Sequence, residues 1–271
     1  MNSCKEPNQL HLLPTMLERN RVLRNDGINN IDKCNKLIAI LLEANEMNQT
    51  RGYSKKIYYF HCCGEINTVK ALELARRRCE ELKLSKVVIA SETGRSAILA
   101  LDVFVQADIE IIVVTHYPAT TWGPKGEIPI GLKRNEYSDV LSKLIKNHVK
   151  IVQGTRPLAP PSRSLDWNYP SPEGIIDKTL EIFGAGTKIA IEASVMATDA
   201  GEVYEGEKII SCAGTFKGLD TVLVVRPVYS MNFFKEFEIC EIVARPEKRV
   251  KKLPEYDYEH WKGDLDKYYN V

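Results

Sequence analysis

Short, wholly apolar segments alternate with helix-like segments through the middle of this 271-residue chain. This alternation constrains the fold more than any other feature. The strand-like segments lie at 57–60, 87–90, 111–114 and 149–152. The helix-like segments, in which apolar residues recur at helical spacing, lie at 67–83, 96–106 and 135–147. Strands that are apolar on both faces need cover on both sides, so the pattern predicts a three-layer α/β/α domain with a mostly parallel sheet.

The last third of the chain departs from this alternation. Helices are predicted at 173–183 and 188–200, each followed by a glycine, which is favoured just past a helix end. The strands predicted at 209–212 and 221–225 are separated by a short segment that cannot hold a parallel crossover. They are therefore expected to form an antiparallel pair or to lie as near neighbours at the sheet edge.

The remaining segments suggest the domain organisation. We predict a helical extension over 1–56, an α/β domain over 57–246 and an aromatic, charged tail over 247–271. The proline-rich segments 117–134 and 155–172 are expected to be irregular loops that cover a ligand. The two predicted extensions, 1–56 and 247–271, are consistent with a homo-oligomer.

Composition and charge exclude several classes of protein. The chain has 37 basic and 36 acidic residues and a formal net charge of +1, which disfavours a nucleic-acid binder. Its apolar runs fall far short of the ~20 residues that span a bilayer, and its amino terminus lacks the order of a secretory signal, so a cytoplasmic location is expected. Because nothing directs the chain to an oxidising compartment, its seven cysteines are expected to be thiols. The scattered histidines and the lack of a Cys-x-x-Cys pair predict no structural zinc site.

The strongest chemical signal lies at 89–97, where a buried strand runs through a Ser/Thr/Gly turn into a helix. The unpaired N–H groups and the dipole of a helix start favour an anion, and glycine permits close backbone approach. An arginine can hold a phosphate through two hydrogen bonds. The alternative, in which the hydroxyls only cap the helix, stays open. The candidate phosphate ligands are Ser91, Thr93, Gly94, Arg95 and Ser96.

A second signal is the glycine-spaced loop between the last two predicted strands. Turn chemistry alone explains its glycines, yet the loop also offers hydroxyl and ammonium donors for an anionic ligand. Its candidate residues are Gly214, Thr215, Lys217, Gly218 and Thr221.

Three weaker candidate sites are also present in the sequence. The cysteines at 62–63 start a helix and are either reactive thiolates or inert buried thiols. Thr115 and His116 follow a strand at the sheet edge where α/β proteins bind ligands, and the histidine either contacts ligand or pairs with a loop. Glu192 and Asp199 share one face of an apolar helix, as structural carboxylates or as site residues. No Walker A, Gly-x-Gly-x-x-Gly, Gly-x-Ser-x-Gly or His-Glu-x-x-His motif is present.

These motifs, in this order, resemble the carboxy-terminal domain of pyruvate kinase. Residues 89–97 are similar to the Ser-Gly-Arg-Ser-Ala turn of that domain, and 111–115 to the following strand that ends in Val-Thr. Residues 200–225 keep the order of its closing helix, strand, effector loop and strand. In pyruvate kinases the two loops hold the phosphates of an allosteric sugar bisphosphate, so the resemblance implies that both signals belong to one site.

Residues 57–246 resemble still more closely the stand-alone archaeal and bacterial proteins with this fold. Those proteins lack the catalytic barrel, and FMN has been found in their ligand site, although their reaction is unassigned. The resemblance implies FMN or a similar phosphorylated ligand, with site residues beyond the two loops at Gly64, Asn67, Thr68, Thr115 and His116. This chain departs from the family pattern at 61–63, in both extensions and at Glu92. The carboxylate of Glu92 falls in the phosphate turn, so it either points away or the ligand differs.

The leading expectation is thus a protein that binds FMN or a related phosphorylated small molecule, with flavin-dependent redox chemistry as one use and no assigned catalytic residue. The alternative is a non-catalytic regulatory module that senses a sugar phosphate or nucleotide. A third hypothesis is a phosphoester hydrolase or isomerase that uses Glu192, Asp199 or His116. No nucleic-acid or membrane partner is expected.

Overall fold

The computed structural model describes residues 38–39, 52–123, 126–159, 161–166 and 170–249. The chain divides into two compact units, Met1–Lys55 and Lys56–Val271. In the first unit, residues 38–39 are helical. The rest of the predicted helical extension up to residue 51, and the predicted tail from residue 250 on, lie outside the described residues. No helix in the described ranges is long and apolar enough to cross a membrane.

The second unit is built on a central sheet. The strands in its described part are β1 (Tyr58–Phe60), β2 (Lys86–Ala90), β3 (Glu110–His116), β4 (Ala119–Gly123), β5 (Gly126–Ile130), β6 (Lys150–Gly154), β7 (Ile209–Ala213), β8 (Thr221–Arg226) and β9 (Glu238–Pro246). Seven of them form one sheet in the order β1-β9-β8-β7-β2-β3-β6. The strands β7, β2, β3 and β6 are parallel neighbours, and β8 runs antiparallel to β7 and β9.

This sheet confirms the predicted fold class, a mostly parallel sheet with antiparallel pairing toward one edge. The predicted antiparallel pair of 209–212 and 221–225 is present as β7 and β8. The sheet continues past β8 through β9, which no sequence pattern indicated, and β1 pairs in parallel with β9.

Helices cover both faces of the sheet. Their bounds are α1 (Thr68–Leu82), α2 (Arg95–Val103), α3 (Ser138–Lys146), α4 (Pro172–Leu180), α5 (Ala185–Asp199) and α6 (Phe233–Glu236). The apolar side chains of α1, α2 and α3 share one buried core, and those of α5 form the second core on the opposite face. The sheet therefore lies between two layers of helices, which is the predicted three-layer α/β/α arrangement.

The strand β2 shows why the central strands are apolar throughout. Val87 and Ile89 enter the core under α1 and α2, whereas Val88 enters the core under α5. Successive side chains of a strand point to opposite faces, so a strand between two helical layers must be apolar at every position.

The prediction of an irregular loop over 117–134 is wrong in part. This segment contains the antiparallel hairpin of β4 and β5, with Ala119 opposite Ile130 and Gly123 opposite Gly126. A lone hairpin is marginal in water, and this one is held by tertiary contacts that its prolines and glycines do not reveal. The Tyr137 hydroxyl donates to the Pro129 carbonyl at 2.6 Å.

Candidate functional site

A cleft of about 1210 Å³ lies at the carboxyl ends of four adjacent parallel strands. Gly214 lines it after β7, Ser91 after β2, His116 at the end of β3 and Thr155 after β6. The carboxyl edge of a parallel sheet is where α/β proteins bind ligands. The volume suffices for a ligand of nucleotide size.

The turn before α2 forms one wall of this cleft. Gly94 has a φ of +82°, a conformation that favours glycine. A Cβ atom on Gly94 would lie 2.4 Å from Cγ1 of Val140, so no larger residue fits without a shift. The glycine therefore lets the turn pack closely against α3.

Three predicted hydroxyls of this turn, those of Ser91, Thr93 and Ser96, belong to residues that line the cleft. Ser91 and Ser96 are only 7% and 6% exposed. None of the three hydroxyls has a hydrogen-bond partner among the residues that the structure describes, and no side chain caps α2 at its N-cap residue. The turn thus presents hydroxyl groups and a helix start to the cleft together.

The two predicted cations of the site converge on a carboxylate. Arg95 Nη1 forms an ion pair with Glu65 Oε1, and Lys217 Nζ lies 3.9 Å from Glu65 Oε2. All three residues line the cleft. Burial lowers the pKa of Lys217 to about 8, with the charge of Glu65 opposing and that of Arg95 adding to this shift. We call Ser91, Thr93, Arg95, Ser96, Lys217 and Glu65 the α2 end of the cleft.

Asp220 joins the loop after β7 to the segment before α1. Its Oδ2 accepts hydrogen bonds from the backbone N–H groups of Gly64 at 2.7 Å and Thr215 at 3.1 Å. Its Oδ1 accepts from the Thr221 hydroxyl at 2.9 Å. Asp220 is fully buried, and burial raises its pKa while these hydrogen bonds lower it. Gly64, Thr215 and Thr221 therefore serve the loop architecture.

Thr68 fastens the same loop. Its hydroxyl donates to the Glu65 carbonyl at 2.7 Å and accepts from the Leu219 N–H at 3.0 Å. A Cβ atom on Gly218 would lie 2.3 Å from Thr68 Oγ1, and one on Gly214 would lie 2.1 Å from the Gly218 carbonyl oxygen. This close packing brings Lys217 beside Glu65.

Glu92 is bound to the end of β3. Its Oε2 accepts from the Thr115 hydroxyl at 3.1 Å and from the His116 N–H at 2.8 Å. The Thr115 hydroxyl also accepts from the Leu132 N–H at 3.1 Å, so its hydrogen-bonding capacity is used within the protein. His116 Nδ1 lies 3.2 Å from the Tyr117 carbonyl oxygen. The carboxylate of Glu92 is thus held by β3, and Glu92 nevertheless lines the cleft.

Glu192 and Asp199 have separate partners. Glu192 is 1% exposed and accepts from Arg156 Nη1 at 3.1 Å and from the Leu158 N–H at 3.2 Å. Burial raises the pKa of Glu192, and the positive charge of Arg156 opposes this shift. Asp199 is exposed and accepts from the Ser230 N–H at 2.9 Å. Neither carboxylate lines the cleft.

A second ion pair adjoins this region. Lys188 Nζ lies 3.4 Å from both carboxylate oxygens of Asp177, which connects α5 to α4. Both residues are buried, and Lys188 lines the cleft whereas Asp177 does not. We call Arg156, Lys188, Glu192 and Asp177 the β6 end of the cleft.

The cysteines that the structure describes form no disulfide, and two of them lie deep in the core. Burial raises the pKa of Cys79 to about 12 and that of Cys212 well above its usual range. Cys62 is exposed and Cys63 is buried, and no disulfide joins the cysteines that the structure describes. No group of three or more metal-ligating side chains occurs among the described residues.

The structure brings most predicted site residues to one cleft. Those that line it are Thr68, Ser91, Thr93, Arg95, Ser96, His116, Gly214, Lys217 and Gly218. Those outside its lining are Gly64, Asn67, Gly94, Thr115, Thr215 and Thr221. The residues outside the lining support its walls; Asn67 Nδ2, for example, donates to the Cys62 carbonyl at 2.8 Å.

Sequence reasoning missed Glu65, Arg156 and Lys188, which all line the cleft. Arg156 follows the end of β6, so the rule that ligands bind at strand carboxyl ends could have found it. Lys188 was visible as a lone cation in the first turn of an apolar helix. The pairing of Glu65 with Arg95 had no local signal.

The fold and the cleft define an α/β domain with helices on both faces and a pocket at the carboxyl ends of its parallel strands. The family model described as the pyruvate kinase alpha/beta domain matches residues 70–225. The chain belongs to this family. A domain of this family is compatible with a ligand-binding or regulatory module.

Proposed function

We propose that the cleft binds a phosphorylated small molecule with its phosphate at the α2 end. The observation that carries this proposal is that Ser91, Thr93 and Ser96 line the cleft at the start of α2 and that their hydroxyls have no hydrogen-bond partner among the described residues. Phosphate oxygens accept hydrogen bonds from such hydroxyls and from the first N–H groups of a helix, whose dipole favours negative charge.

The cations at the α2 end suit the same ligand. Arg95 and Lys217 both contact Glu65, so this end already holds one carboxylate between two positive charges. A phosphate offers more acceptor oxygens and more negative charge than a carboxylate. Ligand binding is therefore expected to draw Arg95 and Lys217 away from Glu65.

The phosphorylated ligand that we propose is FMN. The cleft volume of about 1210 Å³ is sufficient, and aromatic and apolar side chains also line the cleft, among them Tyr117, Phe216, Leu99 and Ile189. Such side chains suit a flat ring system. A bound flavin would supply redox chemistry of its own, and the residues of this chain would bind its phosphate, shape the wall and limit access of water.

Two measurements test the proposal. The first is mass spectrometry, with a visible absorption spectrum, of the ligand released when freshly purified, undialysed protein is denatured. The second is calorimetric titration with FMN and with a sugar phosphate, using Arg95→Gln combined with Ser96→Ala. We expect this variant to bind at least about tenfold more weakly, because it loses two donors to a charged acceptor.

A matched control is Arg77→Gln, since Arg77 also pairs with a glutamate, at 2.9 Å from Glu81, but does not line the cleft. Its affinity should equal that of the wild type. Unchanged affinity of the Arg95 and Ser96 variant for every phosphorylated ligand tested would contradict the proposal.

The second candidate is a non-catalytic module that senses a sugar phosphate or nucleotide. It is favoured by the placement of Glu192 and Asp199, which lie outside the cleft lining, and by the engagement of Glu92 with β3. These carboxylates are then structural, not acid–base groups. Release of a sugar phosphate or nucleotide from colourless protein would support this candidate, whereas stoichiometric FMN would support the flavoprotein.

A further inference from the structure

Lys217 places a primary amine inside the cleft at the α2 end. Its side chain is 15% exposed, and its Nζ lies 3.9 Å from Glu65 Oε2. Arg95 forms a closer ion pair with the other oxygen of the same carboxylate. Lys217 is therefore a second cation beside a carboxylate whose charge an arginine already balances.

The loop that carries Lys217 has a strained backbone. The Lys217 N–H donates to the Thr215 carbonyl at 2.8 Å, which closes a γ-turn around Phe216. Phe216 has a φ of +64°, a conformation that is unfavourable for a residue with a Cβ atom. Asp220 and Thr68 fix the two ends of this loop by hydrogen bonds. Strain of this kind persists where the surroundings fix the backbone, and it collects at functional sites.

The surroundings of Lys217 favour its neutral amine. Burial lowers the pKa of Lys217 to about 8, with the charge of Glu65 opposing this shift and that of Arg95 adding to it. Roughly one amine in ten is then neutral at pH 7, against fewer than about one in a thousand for a lysine of ordinary pKa. The neutral amine is the nucleophilic form, and lysines that condense with carbonyl groups are activated by burial or by a neighbouring cation.

The candidate phosphate ligands lie beside this amine. The hydroxyl-bearing residues of the turn at 91–96 line the same end of the cleft, and Arg95 and Lys217 contact opposite oxygens of Glu65. A phosphate bound to the turn and to Arg95 therefore holds the rest of a small ligand next to Nζ of Lys217. This placement raises the effective concentration of a carbonyl group at the amine.

We propose that Lys217 is a nucleophile that forms a Schiff base with a phosphorylated aldehyde or ketone bound in the cleft. The amine nitrogen attacks the carbonyl carbon, both amine hydrogens leave with the carbonyl oxygen as water, and a C=N bond replaces the C=O bond. The step needs no oxidant or reductant. The inference rests on the proposed function for the phosphate at the α2 end. FMN carries no aldehyde, so this chemistry concerns a second class of ligand, such as an open-chain sugar phosphate, that uses the same phosphate contacts.

The test uses pyridoxal 5′-phosphate, because its aldehyde and its phosphate belong to one small molecule, and compares it with pyridoxal, which lacks the phosphate. Protein and probe are mixed at pH 7, the imine is reduced with borohydride to a stable secondary amine, and peptide mass spectrometry locates and quantifies the adduct. The matched control residue is Lys86, whose side chain is 13% exposed and pairs with Glu207 at 3.0 Å, outside the cleft lining.

We expect Lys217 to form the adduct at least about tenfold faster than Lys86, and at least about tenfold faster with pyridoxal phosphate than with pyridoxal, because the bound phosphate holds the aldehyde at the amine. Lys217→Arg should abolish the adduct at this position. The variant should still bind hexyl monophosphate at pH 7 in a calorimetric titration, since arginine keeps the positive charge. Lys86→Arg should leave the Lys217 adduct in place, and circular dichroism establishes that both variants fold.

Two outcomes overturn the inference, and they are distinguishable. If hexyl monophosphate binds in a way that depends on Arg95 and Ser96, but Lys217 gives no adduct or reacts equally with pyridoxal, the Schiff base is wrong and the proposed function stands. If neither hexyl monophosphate nor pyridoxal phosphate binds the folded protein, both are wrong.

Discussion

Both ends of the cleft combine cations with a carboxylate, but the carboxylate lines the cleft at one end and lies behind the cation at the other. At the α2 end, the carboxylate of Glu65 lines the cleft beside Arg95 and Lys217. At the β6 end, the carboxylate of Glu192 is buried and only its partner Arg156 lines the cleft. An acid in the wall competes with an anionic ligand, whereas an acid behind the wall mainly orients the cation. The position of the acid, more than the net charge, therefore decides what each end can do.

The largest expected effect concerns stability at the β6 end. Arg156→Gln should lower the free energy of unfolding by about 3 kcal/mol, because it leaves Glu192 buried without its cation. Arg95→Gln should lower it by less than about 1 kcal/mol, since Arg95 and Glu65 are partly exposed and water replaces the contact. Urea denaturation of both variants measures the difference. Equal losses would show that the two pairs are not distinguished by burial.

A slightly smaller loss is expected for the loop that carries Lys217. Asp220→Ala removes the acceptor of the Gly64 and Thr215 N–H groups, and buried donors without partners should cost about 2–3 kcal/mol in unfolding free energy. Hydrogen exchange of these two amides, with urea denaturation, would report the change. Wild-type protection of both amides in the variant would mean that another acceptor replaces Asp220.

Removal of the competing acid should improve ligand binding at the α2 end alone. Glu65→Gln is expected to raise the affinity for hexyl monophosphate by about tenfold, because the variant removes a negative charge next to the phosphate. The conservative Glu192→Gln change should not raise it, since Glu192 lies behind the β6 end. Calorimetric titration of both variants makes the comparison, and a gain in the Glu192 variant equal to that in the Glu65 variant would refute it.

The smallest expected effect is a pH dependence of ligand binding at the α2 end. The pKa of Lys217 is lowered to about 8, so its positive charge is present below that pH and lost above it. Monophosphate affinity should therefore fall by roughly fivefold as the pH rises from 7 to 9.5. Lys217→Arg should abolish the dependence, because arginine stays charged. A similar fall in the arginine variant would assign the titration to another group.

The same pKa shift affects folding with the opposite sign. Between pH 8 and the ordinary pKa of lysine, 10.5, the unfolded chain binds more protons at Lys217 than the folded chain does. The contribution of this residue to the free energy of unfolding therefore rises with pH across that window. The ligand affinity of the wild type falls where these pH ranges overlap, so the two measurements separate binding from stability.

Parts of this site were predictable because they are local in the chain. The turn at 91–96 joins a buried strand to a helix within a few residues, so its hydroxyls, Gly94 and Arg95 were identifiable from their order. The apolar character of residues 87–90 and 111–114 predicted the covered parallel sheet, because side chains on both faces of a strand must be buried. The hairpin within 117–134 was not predictable, since it depends on Tyr137 and other contacts outside the segment.

The sequence by itself determined the layered α/β fold and the anion-suited turn, since both depend on residues close together in the chain. Only the tertiary structure decided which charges meet. Glu65 reaches Lys217 because Gly218 packs against Thr68, across a separation along the chain that no periodicity encodes. Arg156 and Glu192 meet for the same reason, through the packing of α5 on β6. Long-range packing thus set which acid lines the cleft and which lies behind it.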